Sequence, residues 1–244
     1  MIVVLSSIIY YPQIMRKLII ALSIILLSSC VVTESIKLDG RSGSSTTDIN
    51  VEQFFIDVLE DFSEFLPEDN QSIMDSAMTG FASQLNDASA TTKVSLYKTG
   101  ENAYYLDFAF SDIQRLIKEL GAENAEGLIS VTDSSFSFYV DIDNFDDLTK
   151  IVPFLADPNF EVYGPLYNQG TTEEDYLDMI YFLLGAEGPD AIRNGHIAID
   201  ITVPGTITAA EGARKTGSNT ARFEFPIIDF LLLNEPLTFS LKWK

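Results

Sequence analysis

The chain has 244 residues, 46% of them hydrophobic and 21% charged, a globular composition whose length suits one domain or at most two. Its 36 acids against 15 bases leave a formal charge of -21, which repels phosphate and excludes nucleic acid as the main partner. One cysteine and one histidine exclude an internal disulfide, a cysteine-based zinc site and a histidine-rich metal centre, so no cofactor or metal is expected.

Residues 15–30 read MRKLIIALSIILLSSC. Arg16 and Lys17 form a basic start, Leu18 to Leu27 an apolar run broken only by Ser23, and small residues lead to Cys30. That layout is a secretory signal, too short to span a bilayer, which takes about 20 apolar residues. The ending Leu27-Ser28-Ser29-Cys30 resembles the lipobox of bacterial lipoproteins. The resemblance implies cleavage before Cys30 and a diacylglycerol thioether on its sulfur. Residues 1–14 carry no charge, whereas a signal begins with bases, so initiation is expected at Met15 with residues 1–29 removed. Removal takes away two bases and no acid, leaving the mature chain more acidic still.

Residues 30–50 read as the lipidated cysteine, a tether and a short hairpin, with Asp39-Gly40 between Ile36/Leu38 and Ile49/Val51. A single domain is expected over 51–244. Val51, Phe54, Phe55, Val58, Leu59, Phe62, Phe65 and Leu66 predict an amphipathic helix ended by Pro67. A second helix is expected from Gln71 to about Leu85, weakened by Gly80. Strands then alternate: Val94 and Leu96, a turn at 98–102, then Tyr104, Leu106, Phe108 and Phe110. Ser111 opens a helix that Gly121 stops. Phe136, Phe138, Val140 and Ile142 follow, then helices opened by Asn144 and by Thr171 with Glu174. Ile197, Ile199, Ile201 and Val203, then Phe223 and Phe225, then Leu237, Phe239, Leu241 and Trp243 complete the strands. The fold class is α+β: a largely antiparallel sheet with one apolar face covered by several amphipathic helices.

Catalytic constellations are sparse. His196 and Asp200 share the polar side of one strand but stand roughly 13 Å apart along it, so a solvated surface histidine is expected. The run Asp141-Ile-Asp-Asn144-Phe-Asp146-Asp147 lacks the glycine and glutamate of an EF-hand loop and reads as acids capping the next helix. No G-x-S-x-G elbow, phosphate loop or dinucleotide fingerprint is present. The apolar stretch Pro226–Pro236, broken by Asp229, reads either as a buried connection between strands or as a lip touching membrane or a greasy ligand.

Three stretches carry a further resemblance: Ile199-Asp-Ile-Thr-Val-Pro-Gly-Thr-Ile-Thr208, Ser218-Asn-Thr-Ala-Arg-Phe-Glu-Phe-Pro226 with the closing strand Leu237–Trp243, and the early Leu38-Asp-Gly-x-x-Gly43. They are similar to LppM-type envelope lipoproteins. The resemblance implies a lipid-anchored, extracytoplasmic α+β domain with a suggested role in binding lipid or glycolipid. Some relatives end in a membrane helix, whereas this chain ends in LTFSLKWK. The resulting expectation is a non-enzymatic protein of the bacterial cell envelope, its domain periplasmic or surface-facing, binding a hydrophobic or glycolipid ligand or an envelope protein. Tyr104, Phe108, Phe136, Phe138, Phe223 and Phe225 are the candidate hydrophobic pocket, or equally a dry core. The alternatives are a structural or adhesive surface lipoprotein without a small-molecule ligand and, remotely, a carboxylate-dependent hydrolase.

Overall fold

The computed structural model describes residues 31–51, 53, 56, 73–122, 124–152, 155 and 161–244. The signal residues Met15, Arg16, Lys17, Leu27, Ser28, Ser29 and Cys30, and most of the expected helix at 51–66, lie outside the described residues. The described chain begins β1 (Val31–Asp39), β2 (Ser42–Asn50), α1 (Ile73–Asp87), β3 (Thr91–Lys98), β4 (Ala103–Phe110) and α2 (Ile113–Glu119). It continues with α3 (Ala125–Leu128), β5 (Ile129–Val131), β6 (Ser135–Val140), α4 (Phe145–Ile151), α5 (Glu173–Leu184) and α6 (Gly188–Asn194). The last third is β7 (His196–Thr202), β8 (Ile207–Glu211), β9 (Arg214–Lys215), β10 (Thr220–Pro226), α7 (Ile227–Leu232) and β11 (Leu237–Trp243).

The class is α+β, but the described strands form two sheets where the sequence predicted one. The larger has the order β3-β4-β2-β1-β7-β10-β9 and the smaller β5-β6-β11-β8. All pairs are antiparallel except β1 with β7, which run parallel. β1 starts at Val31, the first described residue, pairs with β2 over nine positions, and turns at Gly40 with φ +65°. Because β1 also pairs with β7, the hairpin is the centre of the large sheet. The consecutive Ser, Thr and Asp residues of β2 fall on both of its faces, so its sequence shows no apolar alternation.

Alternation elsewhere matches the burial. β11 buries Leu237, Phe239, Leu241 and Trp243 and exposes Thr238 and Lys242 between them. α1 packs along β3 and buries Met74, Met78, Ala82 and Leu85. Asp75 clamps it there, accepting from Lys98 Nζ at 2.9 Å and from the Tyr104 hydroxyl at 2.8 Å. The helix starts shift by one residue from expectation. Asp112, not Ser111, caps α2 by accepting from the Arg115 N–H at 3.0 Å. Thr172, not Thr171, caps α5, and its hydroxyl exchanges hydrogen bonds with Asp175. Short helices α3, α6 and α7 were not foreseen. α7 carries the Pro226–Pro236 stretch and buries Ile228, Phe230, Leu231 and Leu232, so that stretch is a buried helical connection and not a lip.

Candidate functional site

The centre of the large sheet holds a carboxylate where its alternation calls for an apolar side chain. On β1, Val32, Glu34, Ile36 and Leu38 share one side. The register sets Glu34 opposite Thr47 of β2 and beside Ile199 of β7, and the same side carries Ile49, Ile197 and Ile201. Through β4 and β10 it continues into Leu106, Phe108, Phe223 and Phe225. Glu34 therefore lies in the middle of the apolar face.

Two hydroxyls hold it. The Ser45 hydroxyl donates to Oε1 and the Thr47 hydroxyl to Oε2, one donor per oxygen. Desolvation raises the Glu34 carboxyl from an ordinary 4.5 to about 6, against the lowering effect of both hydroxyls. No base forms an ion pair with it among the described residues. Glu34 is half-buried, as are Val32, Ile36, Thr47, Ile49, Ile197 and Ile199 around it.

The ends of the face are closed differently. At the β10 end the small sheet packs its phenylalanines on Phe223. Phe239 lies 4.5 Å from Phe223, 5.4 Å from Phe138 and 5.5 Å from Phe136, between ring centroids, and Phe225 lies 5.1 Å from Phe223. Four of the six candidate pocket residues, Phe136, Phe138, Phe223 and Phe225, thus meet in one stack with Phe239, and of these only Phe138 is more than slightly exposed. Tyr104 and Phe108 are elsewhere. They sit on β4, four strands from β10, about 19 Å at ordinary strand spacing. Tyr104 is buried in the Asp75 clamp with Lys98 Nζ 5.5 Å from its ring centre, and burial raises its phenol. Phe108 is half-buried and neighbours Phe110 at 6.3 Å. The strip between the two groups is the one that holds Glu34.

The opposite side of the same strands is polar. His196 and Asp200 make no direct contact. His196 Nε2 lies 3.6 Å from Glu224, Arg222 Nε donates to Glu224 at 3.3 Å, and Arg222 Nη1 donates to Asp200 at 2.9 Å. A shallow groove of about 330 Å³ runs past His196, Arg193 and Glu224. The acidic run at 141–147 is consumed locally: Asp141 Oδ1 accepts from the N–H groups of Asp143 and Asn144, and Lys150 bridges Asp146 and Asp147. Asn144 does not cap α4; its side chain ties Asp141, Tyr139 and Gly127 together.

Comparison with known proteins adds a likeness of fold. The chain is similar to the folded domain of LppM from Mycobacterium tuberculosis, solved by NMR. The two share 11% identity with a TM-score of 0.39, over 88% of this chain and 90% of that one. No family model and no curated protein matches the chain. Among the described residues no helix is long and apolar enough to cross a membrane.

Glu34, Ser45 and Thr47 are the residues the sequence reading passed over. The signal is present in the alternation Val32-x-Glu34-x-Ile36-x-Leu38, a single acid in an apolar series, within a stretch that reads as a short tether leading into a hairpin.

Proposed function

We propose that this is a non-enzymatic lipoprotein of the bacterial cell envelope, anchored through Cys30, whose extracytoplasmic domain binds an apolar or glycolipid ligand on the face around Glu34. The half-open apolar strip of β2, β1 and β7 carries the ligand reading: such surface is costly to leave in water at about 25 cal/mol per Å², and an occupant would cover it. The basic start, apolar run and lone cysteine at 15–30 support the anchor. Native mass spectrometry of the protein released from its own membrane tests the ligand: a co-purifying lipid is expected, and a clean apo mass from every preparation overturns it. Cys30→Ala should abolish palmitate incorporation, with no other thiol to take its place.

A second reading has its own support. Phe182 is 86% exposed on the side of α5 away from the core, flanked by exposed Tyr181 and Leu183. Such a cluster suits contact with another envelope protein, and cross-linking from position 182 tests it.

A further inference from the structure

We propose that the anchored domain lies against the bilayer that holds it, with the surface from α5 through Arg193 to the start of β7 on the phospholipid headgroups. The inference rests on the Cys30 anchor proposed above and names the side of the domain that meets the membrane. It gives the exposed cluster on α5 to lipid in place of a second protein.

The strand register decides which end of the large sheet is anchored. No residue separates Cys30 from Val31, the first residue of β1. Val31 stands level with Asn50 and with His196 of the parallel strand β7, and His196 in turn with Pro226. The other end of β1, Asp39 opposite Ser42, lies about 26 Å further along at ordinary strand rise. One Cα step and one strand spacing bring His196 within about 9 Å of the anchored residue. A diacylglycerol on Cys30 therefore holds the His196 end of the sheet at the headgroup layer, not the turn at Gly40.

Two shallow concavities adjoin at that end. One, of about 330 Å³, passes His196, Glu224 and Arg193. The other, of about 260 Å³, passes Arg193, Tyr181, Asp178 and Ala186. Arg193 lines both and joins them. Its side chain is about half-exposed, and its ion pair among the described residues is a long one, 3.5 Å to Asp190. Phe182 follows Tyr181 on α5 and stands one helical turn from Asp178, at the lip of the second concavity. It is almost wholly exposed, with exposed Tyr181 and Leu183 on either side. Aromatic rings beside an arginine suit the bilayer interface, where the rings rest at headgroup level and the guanidinium fork takes phosphate. Asp178, Asp190 and Glu224 line the same concavities, so no basic patch draws anionic lipid and the fit is to a zwitterionic surface. The contact need not be strong, because the anchor makes it intramolecular at an effective concentration on the order of millimolar.

The test places a nitroxide on the full lipoprotein in protein-free vesicles of phosphatidylcholine, at Ala186→Cys beside the cluster and at Ser218→Cys near the far end of β10. The anchor occupies the Cys30 sulfur, so each added cysteine is the only free thiol. Label 186 should lose access to an aqueous nickel complex and gain access to oxygen, while label 218 keeps its nickel access. Phe182→Glu, at an exposed position, should return nickel access to label 186 without unfolding the domain. With Cys30→Ala removing the anchor, label 186 in water should be open to nickel. Closure there means that the chain itself covers the groove and overturns the proposal. Equal nickel access at 186 and 218 on vesicles overturns the docking while the anchor stands. Protection at 186 that survives Phe182→Glu overturns the part given to the aromatic cluster. A cross-link from position 182 to a protein in native membranes, with label 186 open on vesicles, gives the cluster to a protein and overturns the proposal. An intact mass without diacylglycerol on Cys30 overturns the anchor reading itself, and this proposal with it.

Discussion

Glu34→Gln has a consequence for stability that needs no ligand. The folded carboxyl titrates near 6 against an ordinary 4.5. Below the lower value both folded and unfolded chains hold the proton and Glu34 contributes nothing to the pH dependence. Between the two values the folded state binds more protons than the unfolded one, so stability falls as pH rises. At 1.36 kcal/mol per pH unit the loss amounts to about 2 kcal/mol at most, with the half-open face screening part of it. The strands on either side present Ser45, Thr47 and Ile49 from β2 and Ile197, Ile199 and Ile201 from β7, none of which titrates in this range. Glutamine cannot ionise, so the variant should match the parent at about pH 4 and exceed it by roughly 1–2 kcal/mol at about pH 7. Urea unfolding reads this directly through Trp243, the only tryptophan, which is buried on β11. With a slope near 2 kcal/mol per molar, the midpoints should separate by up to about 1 M at neutral pH and coincide in acid. A separation that does not change with pH would refute the desolvated carboxylate.

Phe239→Ala empties the centre of the phenylalanine stack and should cost about 3–5 kcal/mol, read by the same unfolding curves, whereas a cost below about 1 kcal/mol would mean the stack is not packed. Gly80→Ala should stabilise by about 0.5–1 kcal/mol, because Gly80 is exposed inside α1 and an added methyl meets no atom within 4 Å. Glu119 is held down to about 2 by the Ser89 hydroxyl first, then by the Ala90 N–H and Arg115. Its folded value lies below its unfolded one, so its contribution is present above about pH 4.5 and is lost as pH falls towards 2. Glu119→Gln should lower the midpoint at neutral pH and flatten the acid limb of the stability profile.

The elements legible in advance were those whose burial pattern is local. β4, β6, β10 and β11 each alternate cleanly along one strand, and α5 carries its own cap and its glycine stop. What could not be read is pairing at a distance. Whether Val31–Asp39 is a tether with one arm of a short hairpin or a central strand depends on β7 more than 150 residues later, and nothing within β1 encodes that partner. The split into two sheets is equally remote. β8 leaves the small sheet and reaches β9 of the large one through Gly212, where φ is +70° and an added Cβ would crowd Thr238 and Phe239.

The same distance dependence explains why the candidate pocket was only partly legible. Each of the six aromatic residues lies on the apolar side of its own strand, and that much is local. Phe138 and Phe223 meet because β6 and β10 belong to sheets that pack together, a fact of topology. Tyr104 and Phe223 do not, because β2, β1 and β7 were inserted between β4 and β10. Those inserted strands carry the polar exception. A carboxylate on a strand face costs the fold stability at neutral pH, and the two hydroxyls beside it offset only part of that cost. Replacing all three by valine would complete the apolar face and should stabilise the domain at neutral pH.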